Sequence, residues 1–443
     1  MSQSLAKDFN FRSLLKFAFP SIIMMIFMSL YSIVDGFFIA QYVDSMALSA
    51  ANIVYPAVSI LLAVGIMFGT GGSAVVAAKI GQGKQEEANR NFSALTLTTL
   101  IIGILGAVLG NLFCRQICSL LGATPVLMDY GTAYLRTILS FAPVCLLQAL
   151  FQSFFVTAGR PGLGLSLTVS AGITNMLLDY LFVVPLHLGV AGAALATGIG
   201  QLLTLIFYLF AYFLRPISVR ISRKYLIPDK HLDLKLYGIG IPAILNLALP
   251  SLLISFLNGL LAAYDQCYVV VVGIYYKLQT FLYLPANGII QGMRPLVGFN
   301  YGAGEIKRVK KIYHLTLCMN SVIMLLGMII CFTASPYLIG MFTDNATTIS
   351  VGSNALRIIC CGFLISTVSI TASGALEGLS KGGQSLIISL LRYILFIIPL
   401  AFVLCKAFGP QCVFHAFWIT EILTAAIAAL LMKSSLRLPG TQA

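Results

Sequence analysis

The sequence predicts an all-α polytopic membrane protein: twelve transmembrane helices in two parallel six-helix repeats, forming N- and C-lobes around a central cleft. Three observations carry this expectation. Hydrophobic residues make up 59% of the 443-residue chain and charged residues only 9%, where a soluble globular protein carries about a quarter charged; mean hydropathy is +0.96. Twelve apolar runs are long enough to cross a bilayer. Two turn motifs recur at a single offset of 221 residues.

The first run, 16–40, follows a polar start that includes Lys7 and Asp8. It is too long for the core of a signal peptide and is expected to stay in the mature protein. Runs 47–78 and 92–114 flank Gly81-Gln-Gly83, runs 126–157 and 163–185 flank Arg160-Pro-Gly162, and run 190–214 closes the first half. The segment from Arg215 to Lys235, with Pro216 and Pro228, is the most polar and basic connection. It divides the chain into an N-lobe at 1–214, a cytoplasmic linker at 215–236 and a C-lobe at 237–443. The second half repeats the pattern: runs 237–262 and 266–299 lead to Gly302-Ala-Gly304, runs 315–336 and 348–378 to Lys381-Gly-Gly383, and runs 385–405 and 412–432 complete it. Gly81 to Gly302 and Arg160 to Lys381 give the offset of 221. Six spans per half bring both halves into the membrane from the same side, so the repeats are parallel, and the cleft between two such bundles is the expected substrate path.

The formal net charge of +13 reads as loop bias and not as a nucleic-acid footprint, because cytoplasmic loops of membrane proteins are enriched in Lys and Arg. With the N-terminus inside, 20 of the 27 basic residues fall on inner segments, against Arg115 and Lys406 in outer loops. Both termini are therefore expected in the cytoplasm. The ten cysteines lie mostly inside apolar runs without metal-ligand spacing, so no redox or metal role follows. The Gly-x-Gly turns lack both a preceding strand and a Gly-Lys-Ser/Thr ending, which makes them helix-ending turns rather than phosphate loops. No ATP site is visible elsewhere, so transport would draw on an ion gradient.

Against this background the run from Leu163 to Pro185 stands out. Asn175 and Asp179 lie four residues apart within it, on one face of one helix about a turn apart. A carboxylate at that depth costs about 2.5 to 3.5 kcal/mol on translocon scales and needs a partner, a proton, a cation or a water-filled cavity. Asp35 is the other carboxyl well inside a first-half span, and the three residues are expected to form one proton- or ion-binding site. The competing reading is a structural pair with a basic residue, for which the first half offers only Arg136 near the outer end of its span. Glu421, midway along the last run, has no evident partner. Met28, Tyr31, Tyr55, Phe151 and Phe155 are candidates for an adaptable apolar substrate cavity, of which only a cleft-facing subset would take part.

Taken with Pro20, Tyr31-Ser-Ile-Val-Asp35-Gly36, Gly81-Gln-Gly83 with Ala88, Asn175-Met-Leu-Leu-Asp179, Gly192-Ala-Ala-Leu-Ala-Thr197, Ile274-Tyr-Tyr-Lys-Leu-Gln279 and Phe299-Asn300-Tyr301-Gly302-Ala303, the sequence resembles the bacterial branch of the multidrug and toxic compound extrusion family, the MATE transporters. That resemblance implies a two-lobed antiporter of the bacterial plasma membrane that exports bulky, mostly cationic compounds in exchange for H+ or Na+. It implies no cofactor, no nucleic-acid partner, contact with membrane lipid and a monomer. The family's N-lobe cation site falls on Asp35, Asn175, Asp179 and Thr197. Helical rise supports the placement: at about 1.5 Å per residue, Asp179 lies roughly 24 Å from the start of its run and Thr197 about 10 Å from the start of its own. A C-lobe acid used by some branches has no good match, since Asp265 and Glu377 lie near span ends.

Two other classes fit the sequence less well. A flippase for a lipid-linked precursor needs a cationic cavity, and few basic residues, chiefly Arg136, Lys277, Arg294 and Arg357, lie within spans. A membrane enzyme is disfavoured because His187, His231, His314 and His415 all lie near span ends or in loops, outside any His-Glu-x-x-His or Gly-x-Ser-x-Gly context.

Overall fold

The computed structural model describes residues 5–43, 45–214, 219–225 and 230–436, and among these it contains helices and no strand. The first half forms α1 (Phe11–Tyr42), α2 (Ser45–Gly81), α3 (Gln85–Leu112), α4 (Cys114–Leu120), α5 (Pro125–Ser140), α6 (Ala142–Thr157), α7 (Pro161–Val183) and α8 (Gly189–Leu214). The second forms α9 (Lys230–Ala262), α10 (Gln266–Gly302), α11 (Ile306–Thr333), α12 (Ser335–Gly340), α13 (Ala346–Cys360), α14 (Phe363–Gly378), α15 (Gly382–Leu390), α16 (Ile397–Phe408) and α17 (His415–Ser435). A π-helical turn at Leu391–Phe396 joins α15 to α16.

Ten helical stretches among the described residues are long and apolar enough to cross a membrane, and the number rises to twelve when each of two bent pairs counts as one span. The pairs are α5 with α6, bent by 53°, and α13 with α14, bent by 55°. The first bend has a proline behind it: Pro143 sits in the opening turn of α6, where its missing N–H costs no hydrogen bond. The second turns at Gly362, where an added Cβ would stand 3.1 Å from Trp418 Cα. A side chain there would ask α17 to give by a few tenths of an ångström.

The duplication expected from two turns runs through the whole architecture. α2 and α10 begin at Ser45 and Gln266, α3 and α11 at Gln85 and Ile306, and α7 and α15 at Pro161 and Gly382, each 221 residues apart. Gly83 and Gly304 share the left-handed conformation, at φ 74° and 77°. Each closes the same turn: Gly83 N–H donates to Ile80 O and Lys84 N–H to Lys79 O, as Gly304 N–H does to Tyr301 O and Glu305 N–H to Asn300 O. These are the helix-ending turns expected of Gly-x-Gly.

Two compact units result, one holding residues 23–240 and the other residues 8–22 together with 241 onwards. The boundaries fall inside α1, two residues beyond Pro20, and inside α9, two residues before Pro242. The described linker residues belong to the first unit, where Arg220 N–H donates to Asn89 Oδ1 at 2.8 Å and Ser222 N–H to Ser93 Oγ at 3.0 Å. The rest of the linker, 215–218 and 226–229, lies outside the described residues. Each unit has its own core, around Val54, Leu135, Leu146, Val183 and Val190 in the first and Leu257, Tyr275, Ile359, Phe363 and Phe417 in the second. Phe207, Phe210, Phe213 and Leu214 remain exposed on α8, as suits a helix face whose solvent is lipid.

Candidate functional site

The first unit brings the sequence-predicted polar residues together through three helices. α1 and α7 run side by side in the same direction, since added Cβ atoms on Gly164 and Gly172 would lie 3.7 Å from Met24 Sδ and 2.2 Å from Phe27 Cε1. Asp179 lies seven residues beyond Gly172 and Asp35 eight residues beyond Phe27, so both fall roughly 10 to 12 Å beyond that contact. α8 packs antiparallel on α7, and it comes close because Gly200 has no side chain: a Cβ there would stand 3.0 Å from Asn175 Cβ. Each step along α7 is a step back along α8, so Asp179, one turn beyond Asn175, falls level with Ala196 and Thr197.

What the site lacks is internal satisfaction. Both oxygens of Asp179, both amide atoms of Asn175 and Oδ1 of Asp35 are shielded from solvent without a hydrogen-bond partner. Asp179 is fully buried and Asn175 nearly so, while Asp35 and Thr197 are half-buried. No ion pair formed by the described residues involves Asp35 or Asp179. Arg136, the one basic candidate, is exposed on α5. Buried polar atoms are normally paired, so these orphans on α1 and α7 mark a place for something that is not a side chain. Two carboxyls, an amide and a hydroxyl supply hard oxygen donors suited to Na+, and the carboxyls alone suffice for a proton.

One member of this cluster escaped the sequence reading. Gln201 lies four residues after Thr197 on the same face of α8, and its Oε1 is likewise buried without a partner. The spacing rule that picked out Asn175 and Asp179 applies to Thr197 and Gln201, so the signal was present.

The aromatic and Met candidates separate. Met28 is half-buried, with its Sδ 3.6 Å from Gln152 Nε2. Gln152 also donates to Thr168 Oγ1 at 3.4 Å, and Thr168 shares a 3.1 Å hydrogen bond with Tyr208. Phe151 and Phe155 pack into the aromatic interior: Phe151 lies edge-on to Phe92, with centroids 5.9 Å apart, and Phe155 lies 5.1 Å from Tyr208. They have no free face in this conformation, being 1% and 0% exposed. Tyr55 is exposed, and the side chain of Tyr31 lies outside the described residues.

The second unit treats its acids differently. Glu377 pairs with Arg294 at 2.5 Å and accepts from Asn246 Nδ2 at 3.0 Å. Glu421, for which no partner was evident from sequence, is bound by Arg392. Asp265 is an exposed N-cap of α10 that accepts from Cys267 N–H at 2.8 Å.

The MatE family model matches residues 20–181 and 242–403, two stretches of equal length beginning at Pro20 and Pro242. The chain belongs to the MatE family. As a MatE protein it is a multi-pass membrane transporter and not an enzyme. The MatE chain is similar to the multidrug export protein MepA of Staphylococcus saprophyticus, 27% identical over 432 residues that cover 97% of this chain and 95% of that protein. MepA of Staphylococcus aureus strain MRSA252 is 26% identical over 428 residues, 96% of this chain and 94% of that one. Among solved structures, that of a MATE protein in complex with MaL6 superposes with a TM-score of 0.90 at 20% identity, covering 98% of each chain.

Proposed function

We propose that this MatE transporter exports bulky, mostly cationic compounds across a bacterial plasma membrane in exchange for H+ or Na+, acting as a monomer without a cofactor. Asp35, Asn175, Asp179 and Thr197 hold the coupling ion, with Gln201 beside them. The observation that supports this reading best is the set of buried, unpartnered polar atoms on Asp35 of α1 and on Asn175 and Asp179 of α7. Two acids brought together without a base favour binding of a positive charge. The relatives named for multidrug export support the substrate class, and the basic bias of alternate loops supports cytoplasmic termini.

The test is efflux of a fluorescent organic cation from cells and from proteoliposomes, with pH and Na+ gradients imposed separately. A membrane-impermeant maleimide on a single cysteine at Tyr225 fixes the sidedness, and is expected to react only from the cytoplasmic face. Efflux is expected to follow at least one gradient and to stop when both are collapsed. Efflux indifferent to both gradients rejects the antiport, and labelling of residue 225 from the outside alone reverses the direction of transport.

A further inference from the structure

The second unit holds a buried ion pair that this mechanism leaves unused. Arg392, in the π-turn, donates through Nη2 to Glu421 Oε1 on α17, and the two side chains are only 9% and 11% exposed. Glu421 Oε2 accepts from Ser369 Oγ at 3.5 Å. The guanidinium stands 5.2 Å from the Tyr393 ring centroid. Tyr275, Tyr283 and Tyr393 are the other titratable groups within its electrostatic reach. Both members of the pair line a small cavity of about 20 Å³ together with Leu257, Tyr275, Gln279 and Phe417.

The duplication says what this cavity is. Its walls are α9, α10, the segment α15 to α16 and α17, the counterparts of α1, α2, α7 and α8. The first unit builds its unpartnered acids on α1 and α7, with Thr197 and Gln201 of α8 in the same site. At the offset of 221, Asn175, Asp179 and Thr197 correspond to the apolar Phe396, Leu400 and Trp418, while Arg392 corresponds to Ala171, one turn before Asn175, and Glu421 to Gly200, which packs against Asn175. The acid has moved from the helix that follows the fourth span to the last helix, and a guanidinium now faces it. The π-turn sets this segment apart from α7. Pro399 has no N–H to donate to Leu395 O, and over Leu391–Phe396 the hydrogen-bond ladder is widened. Such single widened turns concentrate at functional positions.

We propose that Arg392 is a tethered cation, built into the C-terminal unit's copy of the ion site, so that Glu421 is balanced without a mobile ion and coupling is confined to the N-terminal unit. A carboxylate at membrane depth requires a partner, a proton or a cation. In the first unit no described side chain provides one, so the partner can be exchanged with the solution; in the second it is covalently attached and cannot leave. Removing the guanidinium leaves an uncompensated buried charge, the costly case, and the empty half of the pair then recruits H+ or Na+. The second cation site is thus latent. This inference rests on the reading of the N-terminal site only for its consequence, single-site coupling; the chemistry of the pair stands apart from it.

The test uses the full-length transporter in detergent, with infrared difference spectra between acid and alkaline buffer and a parallel measurement of bound Na+. In the parent, Glu421→Gln is expected to leave the protonated-carboxyl signal unchanged. Arg392→Gln is expected to gain one cation-binding carboxyl per molecule, seen as a new protonated-carboxyl band or as one added Na+, and Arg392→Gln/Glu421→Gln to lose it again. The same gain is expected in an Asp35→Asn/Asp179→Asn background, which separates this proposal from the N-terminal reading. Should Arg392→Gln fail to fold, the exchanged pair Arg392→Glu/Glu421→Arg keeps both charges, and it is expected to fold without any such band. A Glu421 band in the parent or in the exchanged pair overturns the proposal, as does a folded Arg392→Gln that takes up neither ion.

Discussion

At the scale of single residues, what separates a coupling acid from a structural one is the company it keeps. Asp265 is exposed and caps α10 through the Cys267 N–H, work that an amide does equally well. Asp35 and Asp179 have buried oxygens that no donor answers. Asp35→Asn and Asp179→Asn are each expected to abolish gradient-driven efflux while leaving the protein folded, because an amide fits the space yet takes up no proton and brings no negative charge to hold a cation. Asp265→Asn is expected to retain transport, and Asp265→Ala to cost about 1 kcal/mol of stability. Efflux rates and thermal melts of the purified variants check both, and an inactive Asp265→Asn beside a fully active Asp35→Asn would place the coupling site in the other unit. Asp35, Asn175 and Asp179 were legible in the sequence because an ionisable or amide group inside an apolar run has few cheap explanations. Arg392 was not, since its partner lies 29 residues away beyond a chain reversal and linear spacing carries no sign of such a pair. Nor could sequence separate Phe155, sealed against Tyr208, from a cavity-lining aromatic; both look the same in an apolar run.

At the scale of helices, the site depends on the closeness of α7 and α8, and that closeness depends on Gly200. A Cβ at this position already meets Asn175 Cβ at 3.0 Å, so a branched side chain pushes the helices apart at the level of the unpartnered acids. Gly200→Val is expected to weaken coupled efflux strongly with every ionisable group intact, at about 1 to 3 kcal/mol of stability for the overpacking. Gly200→Ala, which asks its neighbour to give by a few tenths of an ångström, is expected to fall between the parent and Gly200→Val. Efflux per folded molecule orders the series, and a Gly200→Val protein coupling as well as the parent would show that the spacing of the two helices is immaterial. Helix number and order could be read from the apolar runs because bilayer thickness sets their minimum length. The bends could not: 126–157 and 348–378 read as single long runs, yet the chain breaks at Phe141 and near Gly362. Pro143 hints at the first break. The second is imposed by the approach of Trp418, a tertiary contact with no local signature.

At the scale of the whole molecule, the repeat was visible in two turns and proved to govern most helix starts. The division into units was less legible, because it runs through α1 and α9 close to Pro20 and Pro242 and not through the basic linker alone. α1 therefore belongs to one unit before Ile23 and to the other, with Asp35, after it. A proline inside a helix removes one backbone hydrogen bond and marks where bending is cheap. On the proposed coupling, binding of H+ or Na+ between Asp35 and Asp179 would relieve their repulsion and favour a closer approach of α1 to α7, with Pro20 as the point about which α1 can bend. The same event removes negative charge from the first unit, so a cationic compound held by that unit loses attraction while its surroundings are reshaped. Ion and compound then oppose one another without sharing an atom, and linkage requires each to weaken the other by the same factor, about 5- to 150-fold for couplings of ordinary size. Affinity for an organic cation, measured in detergent, is therefore expected to fall as pH is lowered at fixed Na+, or as Na+ is raised at fixed pH. Asp35→Asn is expected to flatten that dependence, because a single remaining carboxyl has no partner whose repulsion the ion can relieve. Equal affinity across both titrations in the parent protein would remove the proposed link between the ion site and the substrate, whatever the variants do to transport.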